Sequence, residues 1–259
     1  MPVFLFDDLI FGPVKSRRLG VSLGINLLPT HSKLCSFNCV YCECGWTKNR
    51  SSLKIKLPNR DDFKLLLVEK LKALKGTPLE PDSITFAGNG EPTLHPHFAE
   101  IINDTIELRN AFAPKAKISV LSNGSMLNKQ SVFEALHKVD NNILKLDGGT
   151  EEVIRNINMP LKAFRLSEYI DQLKRFDGNL IIQSLFLRGT NNNKIIDNTT
   201  DFEIGAWLEK LQLIRPKSVM VYAIERDTPA ANLVKISEEE LEAIAQKVTA
   251  MGIDASVFA

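Results

Sequence analysis

Apolar positions recur along this chain in two rhythms that alternate. Short apolar runs closed by Gly, Pro or Asn are followed by longer stretches in which apolar residues return every three to four positions. The first run, GINLL (24–28), ends at Pro29. Helical spacing comes next in RDDFKLLLVEKLKALKG (60–76), where Phe63, Leu67, Leu71 and Leu74 share a face, Asn59 is placed to cap the start and Gly76 to stop the end. The cycle repeats with a strand over 83–88, a helix over 95–112, a strand over 117–123 and a helix over 129–139. It continues with a strand over 142–147, helical pieces over 150–157 and 163–176, and a strand over 179–187. A helix over 201–214, a strand over 218–225, a helix over 237–250 and a strand over 253–258 complete it. Ser237 and Glu240 stand at capping-box spacing at the start of the last helix.

Seven strands with six helical segments between them predict βαβ units and a parallel sheet, either open and doubly wound or curved into part of a barrel. In both, ligands sit at the C-terminal ends of the strands. The strand ends here are polar: the cysteine loop after the first, GNGEPTLHP after the second, SNG after the third, KLD on the fourth, Gln183 and Ser184 on the fifth, and YAIERDTP after the sixth. No linker-like stretch divides the chain, which is read as a single domain over 1–259, with a lead-in over 1–23 and the α/β body over 24–259.

Composition narrows the class. The 259 residues carry 32 Lys and Arg against 31 Asp and Glu, which excludes a strongly basic nucleic-acid binder on bulk charge and leaves room for a local patch. The start, MPVFLFDDLIF, lacks a basic n-region and is broken by Asp7 and Asp8, no apolar run reaches membrane-spanning length, and Arg17-Arg18 is not followed by an export signal's apolar stretch. A cytoplasmic protein without membrane association is expected. All four cysteines, Cys35, Cys39, Cys42 and Cys44, lie within ten positions, and in a reducing compartment such a cluster reads as metal ligands. Structural zinc sites pair C-x2-C knuckles around four ligands. The C-x3-C-x2-C spacing of Cys35, Cys39 and Cys42 instead suits three corners of a cubane iron–sulfur cluster and leaves one iron without a protein ligand. A zinc or cluster site that merely staples the loop is the other reading.

That spacing, with Tyr41 before the third cysteine and GNGEP (88–92) after the second strand, resembles the radical S-adenosylmethionine (SAM) superfamily. The resemblance implies a partial (β/α)6 TIM-like barrel of parallel strands, an α/β fold. It also implies a [4Fe-4S] cluster on Cys35, Cys39 and Cys42 whose open iron is chelated by SAM. An external one-electron donor of the flavodoxin or ferredoxin type would reduce the cluster, and a 5′-deoxyadenosyl radical would abstract hydrogen from a substrate. Carried onto this sequence, the SAM contacts are Tyr41, Gly90, Glu91, Ser122, Asn123, Lys145, Asp147 and Gln183. Glu91 is suited to accept a hydrogen bond from the SAM ammonium, Asp147 one from a ribose hydroxyl, and Lys145 to offset a carboxylate. Lys145 and Asp147 share one face of their strand. A structural pairing of these two, and a satisfied core amide for Gln183, are the competing readings.

Four blocks, GPVKSRRLGVSLGINLLP (12–29), CSFNCVYCE, GNGEPTLHP and RPKSVMVYAIERDTP (215–229), resemble the wyosine tRNA-synthase-related group, in a single-cluster, bacterial-type form. Characterised members build a tricyclic tRNA base and carry a second, N-terminal set of cysteines. No cysteine precedes Cys35 here. A tRNA base is therefore the first candidate substrate and a small metabolite or peptide the second, with a non-catalytic zinc- or cluster-stabilised binding module as the reading from a different class. Arg17, Arg18 and Arg226 are candidates for holding a substrate anion or for anchoring their own segments. His95 and His97 read as helix-start residues, Tyr222 as packing or cavity lining, His31 as a solvated loop residue, and Cys44 as a small residue beside Gly45.

Overall fold

The computed structural model describes residues 4–47 and 56–259, so the first three residues of the expected lead-in lie outside the described residues. Eleven strands and seven α-helices are described. They gather into two compact units, one holding Leu5–Cys35 and Thr47–Asn142, the other Ser36–Trp46 and Ile143–Ala259 together with Phe4.

In the first unit, β1 (Ile10–Ser16), β2 (Gly20–Ile25), β3 (Ser83–Phe86) and β4 (Lys117–Ser122) lie side by side in that order. β1 runs antiparallel to β2, and β2, β3 and β4 are parallel. Helices α1 (Arg60–Leu74), α2 (Phe98–Phe112) and α3 (Gln130–Lys138) belong to the same unit. The side chain of Asn59 accepts from Asp61 N at 2.8 Å, so α1 starts where its cap predicts. Period-two alternation gives β3 an apolar face, Ile84 and Phe86, and a hydroxyl face, Ser83 and Thr85. Phe86 meets Phe63 of α1 and Phe98 of α2 at ring distances of 6.4 and 6.3 Å, and all three rings are fully buried. Each such burial contributes about 1.5–3 kcal/mol. The hydroxyl face satisfies itself: Ser22 donates to Thr85 at 2.7 Å, Ser83 contacts Thr85 and Ser119 at 3.0 and 2.8 Å, and Asn141 donates to Ser119 at 3.0 Å.

Two local readings shift. The first parallel strand ends at Ile25 rather than 28, because the Asn26 side chain accepts from Leu28 N and Asn89 N and turns the backbone out of the ladder. The lead-in contains β1, whose exposed edge and interrupting Gly12-Pro13 hide its alternation in the sequence.

In the second unit, Ile143–Lys145 of β5 (Asn141–Lys145), β6 (Ile181–Leu185), β9 (Ser218–Tyr222) and β11 (Asp254–Phe258) are parallel neighbours in that order. Their helices are α4 (Glu151–Asn158), α5 (Leu166–Lys174), α6 (Asp201–Ile214) and α7 (Glu238–Thr249), the last opened by the expected capping box of Ser237 and Glu240. The run predicted as one strand over 179–187 breaks at Phe186. Asn198 stitches the break, accepting from Leu187 N at 2.8 Å and donating to Leu185 O and Asp147 O at 2.7 and 2.8 Å. Beyond it, β7 (Leu187–Asn191) forms a small antiparallel sheet with β8 (Lys194–Asp197) and β10 (Asn232–Lys235). Asn192 and Asn193, at φ of 50° and 61°, turn the β7–β8 hairpin in the way that two left-handed residues do. No described helix is long and apolar enough to cross a membrane.

Candidate active site

The cysteine loop passes from one unit into the other. Cys35 belongs to the first unit, and Cys39, Cys42 and Cys44 to the second. All four are free of disulfides, with Cys35 and Cys39 buried and Cys42 and Cys44 half-buried. Among the described residues, no three His, Cys, Asp or Glu side chains surround a point where a single ion would sit. A cubane distributes its cysteine ligands over separate irons and does not ask for that convergence.

In the first unit, Cys35 follows a short parallel bridge between Leu34 and Gly90. Leu34 N donates to Asn89 O at 2.8 Å, and Glu91 N donates to Leu34 O at 3.0 Å. Gly90 has φ of 139°, and a Cβ there would lie 1.9 Å from Leu34 O, so glycine is required by both conformation and close approach. Asn89, fully buried, spends its side chain on Phe6 N and on the carbonyls of Phe6 and Pro29. Glu91 faces inward. One carboxylate oxygen accepts from Thr93 N, Thr93 Oγ1 and Ser122 Oγ at 3.1, 2.5 and 2.8 Å, and the other from Asn123 N at 2.7 Å. Burial pushes the Glu91 carboxyl above the usual range, and these donors act against that push. Asn123 in turn aims its side-chain amide at Cys35 Sγ, 3.6 Å away. Thus Gly90, Glu91, Ser122, Asn123 and Cys35, picked from three separate motifs, meet in one clasp.

In the second unit, α4 seats the other part of the cysteine loop. Thr150 caps the helix by accepting from Val153 N at 3.3 Å, and Met159 ends it in a left-handed conformation. The last carbonyls of a helix lack internal partners. Here Asn38 N donates to Asn158 O and Met159 O, and Val40 N to Ile157 O, at 3.0, 3.1 and 2.9 Å. The backbone on both sides of Cys39 is thereby fixed. Asp147, with no exposed side-chain surface, accepts from Asn158 Nδ2 at 2.6 Å, from Leu185 N at 2.9 Å and from the hydroxyl of Tyr41. Lys145 lies 3.4 Å from Asp147 and donates to Tyr41 and Tyr222 hydroxyls at 2.6 and 3.4 Å, its ammonium 5.1 Å from the Tyr41 ring centre. Burial works against the Lys145 charge, but Asp147 and the other nearby groups outweigh it and hold the amine above the ordinary lysine range. Burial, then Asp147, pushes the Tyr41 phenol up, so it stays a donor. The raised amine is held in the ion pair with Asp147.

Gln183 is buried on β6 opposite Lys145. His95 Nε2 contacts Pro58 O at 3.0 Å and its Nδ1 accepts from His97 N at 3.2 Å, so both histidines organise the entry to α2. Arg226 pairs with Glu43 at 2.7 Å and lies over Phe4 at 5.1 Å. Arg17 and Arg18 fall in the turn between β1 and β2. Beside Arg226, an open cavity of about 580 Å³ is lined by Ile224, Thr228, Leu233 and Lys235, among others. Ala230 N ties this segment to Val40 O at 3.2 Å. Sequence reasoning passed over Asn158, a buried amide outside any spacing motif whose Cys39 and Tyr41 partners are distant in sequence, and gave no role to Asn89, although it lies within GNGEP.

The description "Radical SAM superfamily" belongs to the family model that matches residues 30–202. A UPF0026 protein of Helicobacter pylori is 31% identical over 240 residues, 90% of this chain and 71% of the relative. A protein named GTPase Obg in Brachyspira hyodysenteriae is 30% identical over 237 residues, and the chain spans only 32% of it. Among solved structures, a radical SAM methyltransferase from Sphaerobacter thermophilus superposes with a TM-score of 0.66 at 15% identity, covering 92% of this chain and 65% of the other. A structure of TYW1 with a lysine-pyruvate adduct gives 0.54 at 17% identity, over 88% of this chain and 73% of the other. The shared fold is the α/β, mostly parallel, partial TIM-like barrel that the family resemblance implies, one of the two architectures that the alternation of strands and helices left open. The chain belongs to the Radical SAM superfamily, enzymes that work with a [4Fe-4S] cluster and SAM, and stands within it beside the UPF0026 proteins.

Proposed function

We propose that Cys35, Cys39 and Cys42 hold the [4Fe-4S] cluster and that the chain uses it to open SAM for hydrogen abstraction from a substrate. The observation that carries this is the pair of buried amides, Asn123 on Cys35 and Asn158 on Cys39, aimed at sulfurs that no disulfide consumes. Hydrogen bonds to the sulfurs are a standard feature of protein-held clusters. When bound, cluster and SAM supply a 5′-deoxyadenosyl radical after one electron arrives from an external flavodoxin- or ferredoxin-type donor. The chain's own residues bind and orient. Lys145 offers a fixed ammonium to the SAM carboxylate, with Tyr41 and Asp147 holding it in place and Gln183 on the neighbouring strand. Glu91 keeps Ser122 and Asn123 in position, and Gly90 lets the Leu34 backbone that leads to Cys35 approach closely. Anaerobic reconstitution with iron and sulfide, then dithionite and SAM, is expected to release 5′-deoxyadenosine. An intact cluster without that product overturns the reading, and one zinc with no acid-labile sulfide would favour a binding module.

For the substrate, we propose a tRNA base in a modification related to wyosine synthesis, carried out in the cytoplasm. The resemblance of the four sequence blocks to that group supports it, and the fold likeness to TYW1 is compatible with it. Affinity for tRNA that falls steeply with salt is expected. A small metabolite or peptide is the second reading, which salt-independent binding and a deep enclosed pocket without a basic rim would support; the cavity beside Arg226 is open and carries Arg226 and Lys235.

A further inference from the structure

We infer that Asn158 tunes the reduction potential of the cluster by donating a hydrogen bond to the sulfur of Cys39; the inference rests on Cys39 being a cluster ligand. The Asn158 side chain is buried, and its amide nitrogen lies 3.4 Å from Cys39 Sγ and 2.6 Å from Asp147 Oδ2. An amide nitrogen carries two protons. Asp147 takes one; the Tyr41 hydroxyl, also 3.4 Å away, already accepts from Lys145 at 2.6 Å, which leaves the second proton to the sulfur. The opposite orientation would set the amide oxygen against a carboxylate and a thiolate, so the donor faces the sulfur. Asp147 cannot swing away to release it, because Leu185 N and the Tyr41 hydroxyl hold the carboxylate from other sides.

Local backbone geometry supports a dedicated side-chain donor. Asn38 N and Val40 N, which flank Cys39, are both engaged by the end of α4. The same α4 terminus then supplies an amide from its last residue. The helix end that anchors the loop thus also delivers a donor to the sulfur. A donor at sulfur stabilises the more negative, reduced cluster, and outer partners of this kind tune metal sites. The role is one of positioning and electrostatics, since Asn158 acts through Cys39.

The test compares wild type with Asn158→Leu, similar in size but unable to donate. After anaerobic reconstitution, iron and acid-labile sulfide establish cluster occupancy, and a dithionite-poised titration followed by electron paramagnetic resonance gives the midpoint without SAM. The midpoint of Asn158→Leu is expected to move negative at wild-type iron and sulfide content. An unmoved midpoint at full occupancy overturns the inference and leaves the cluster assignment intact. A wild type that binds no cluster overturns the assignment instead. Should Asn158→Leu fail to hold a cluster, a protein that keeps Asn158 decides. With the side-chain amide of asparagine labelled with 15N, and with Asn123→Leu to remove the other amide donor, the reduced cluster is expected to show a 15N coupling. Its absence would overturn the inference.

Discussion

Replacing Gly90 by alanine tests whether backbone contact, rather than side-chain chemistry, places the first cysteine. An ordinary contact begins at 3.4 Å, so the new Cβ, built 1.9 Å from Leu34 O, would require a shift of about 1.5 Å. That carbonyl accepts from Glu91 N at 3.0 Å, and a shift of this size breaks the bond. A buried donor left without its partner costs about 1–3 kcal/mol. Holding alanine at a φ of 139° costs about 1–3 kcal/mol more. A loss of about 4 kcal/mol is expected, with Cys35 displaced because it follows Leu34 directly. Urea unfolding measures the first, and iron content after reconstitution the second. Gly205→Ala is the control: it lies in α6 with nothing within 4 Å of the added carbon, and a gain of about 0.5–1 kcal/mol is expected. A Gly90→Ala protein as stable as wild type, with full iron content, would refute the reasoning.

Lys145→Met keeps the stem and removes the ammonium facing Asp147; SAM affinity measured by equilibrium dialysis is expected to fall at least about tenfold, or about 1.4 kcal/mol. Trp207 Nε1 donates to Leu146 O and Ser184 Oγ at 3.2 and 3.1 Å, so Trp207→Phe leaves both without that donor and opens space beside Phe186. A cost of about 2–4 kcal/mol by urea unfolding is expected. Asp104 is held below the ordinary aspartate range, chiefly by its hydrogen bond to Arg60, and also pairs with Lys64. Because the folded value is depressed, its contribution is present above the unfolded pKa near 4 and is lost as pH falls through the folded value. The difference between wild type and Asp104→Asn, about 1 kcal/mol at pH 7, is therefore expected to vanish in acid.

Much of this molecule is legible in one dimension because much of it is local. Helix α6 spans the predicted 201–214, and the capping box of Ser237 and Glu240 forms as read, since periodicity and caps act within a few residues. Strand β1 and the β7–β8–β10 sheet escaped. The Asn192-Asn193 turn signal was present, but pairing with β10 joins segments far apart in sequence, and the break at Phe186 depends on Asn198.

The site divides in the same way. Sequence alone determined the C-x3-C-x2-C trio, because spacing settles it without reference to distant parts of the chain; the glycine at 90 was legible within its motif, but its need comes from Leu34, and Asp147 lies beyond the end of β5 at Lys145. Only tertiary structure decided that Glu91 turns inward to Ser122 and Asn123, that Asp147 is saturated by Tyr41, Asn158 and Leu185, and that an amide ending α4 reaches Cys39. Buried polar groups must find partners, and which partner each finds depends on what folding brings within about 3 Å.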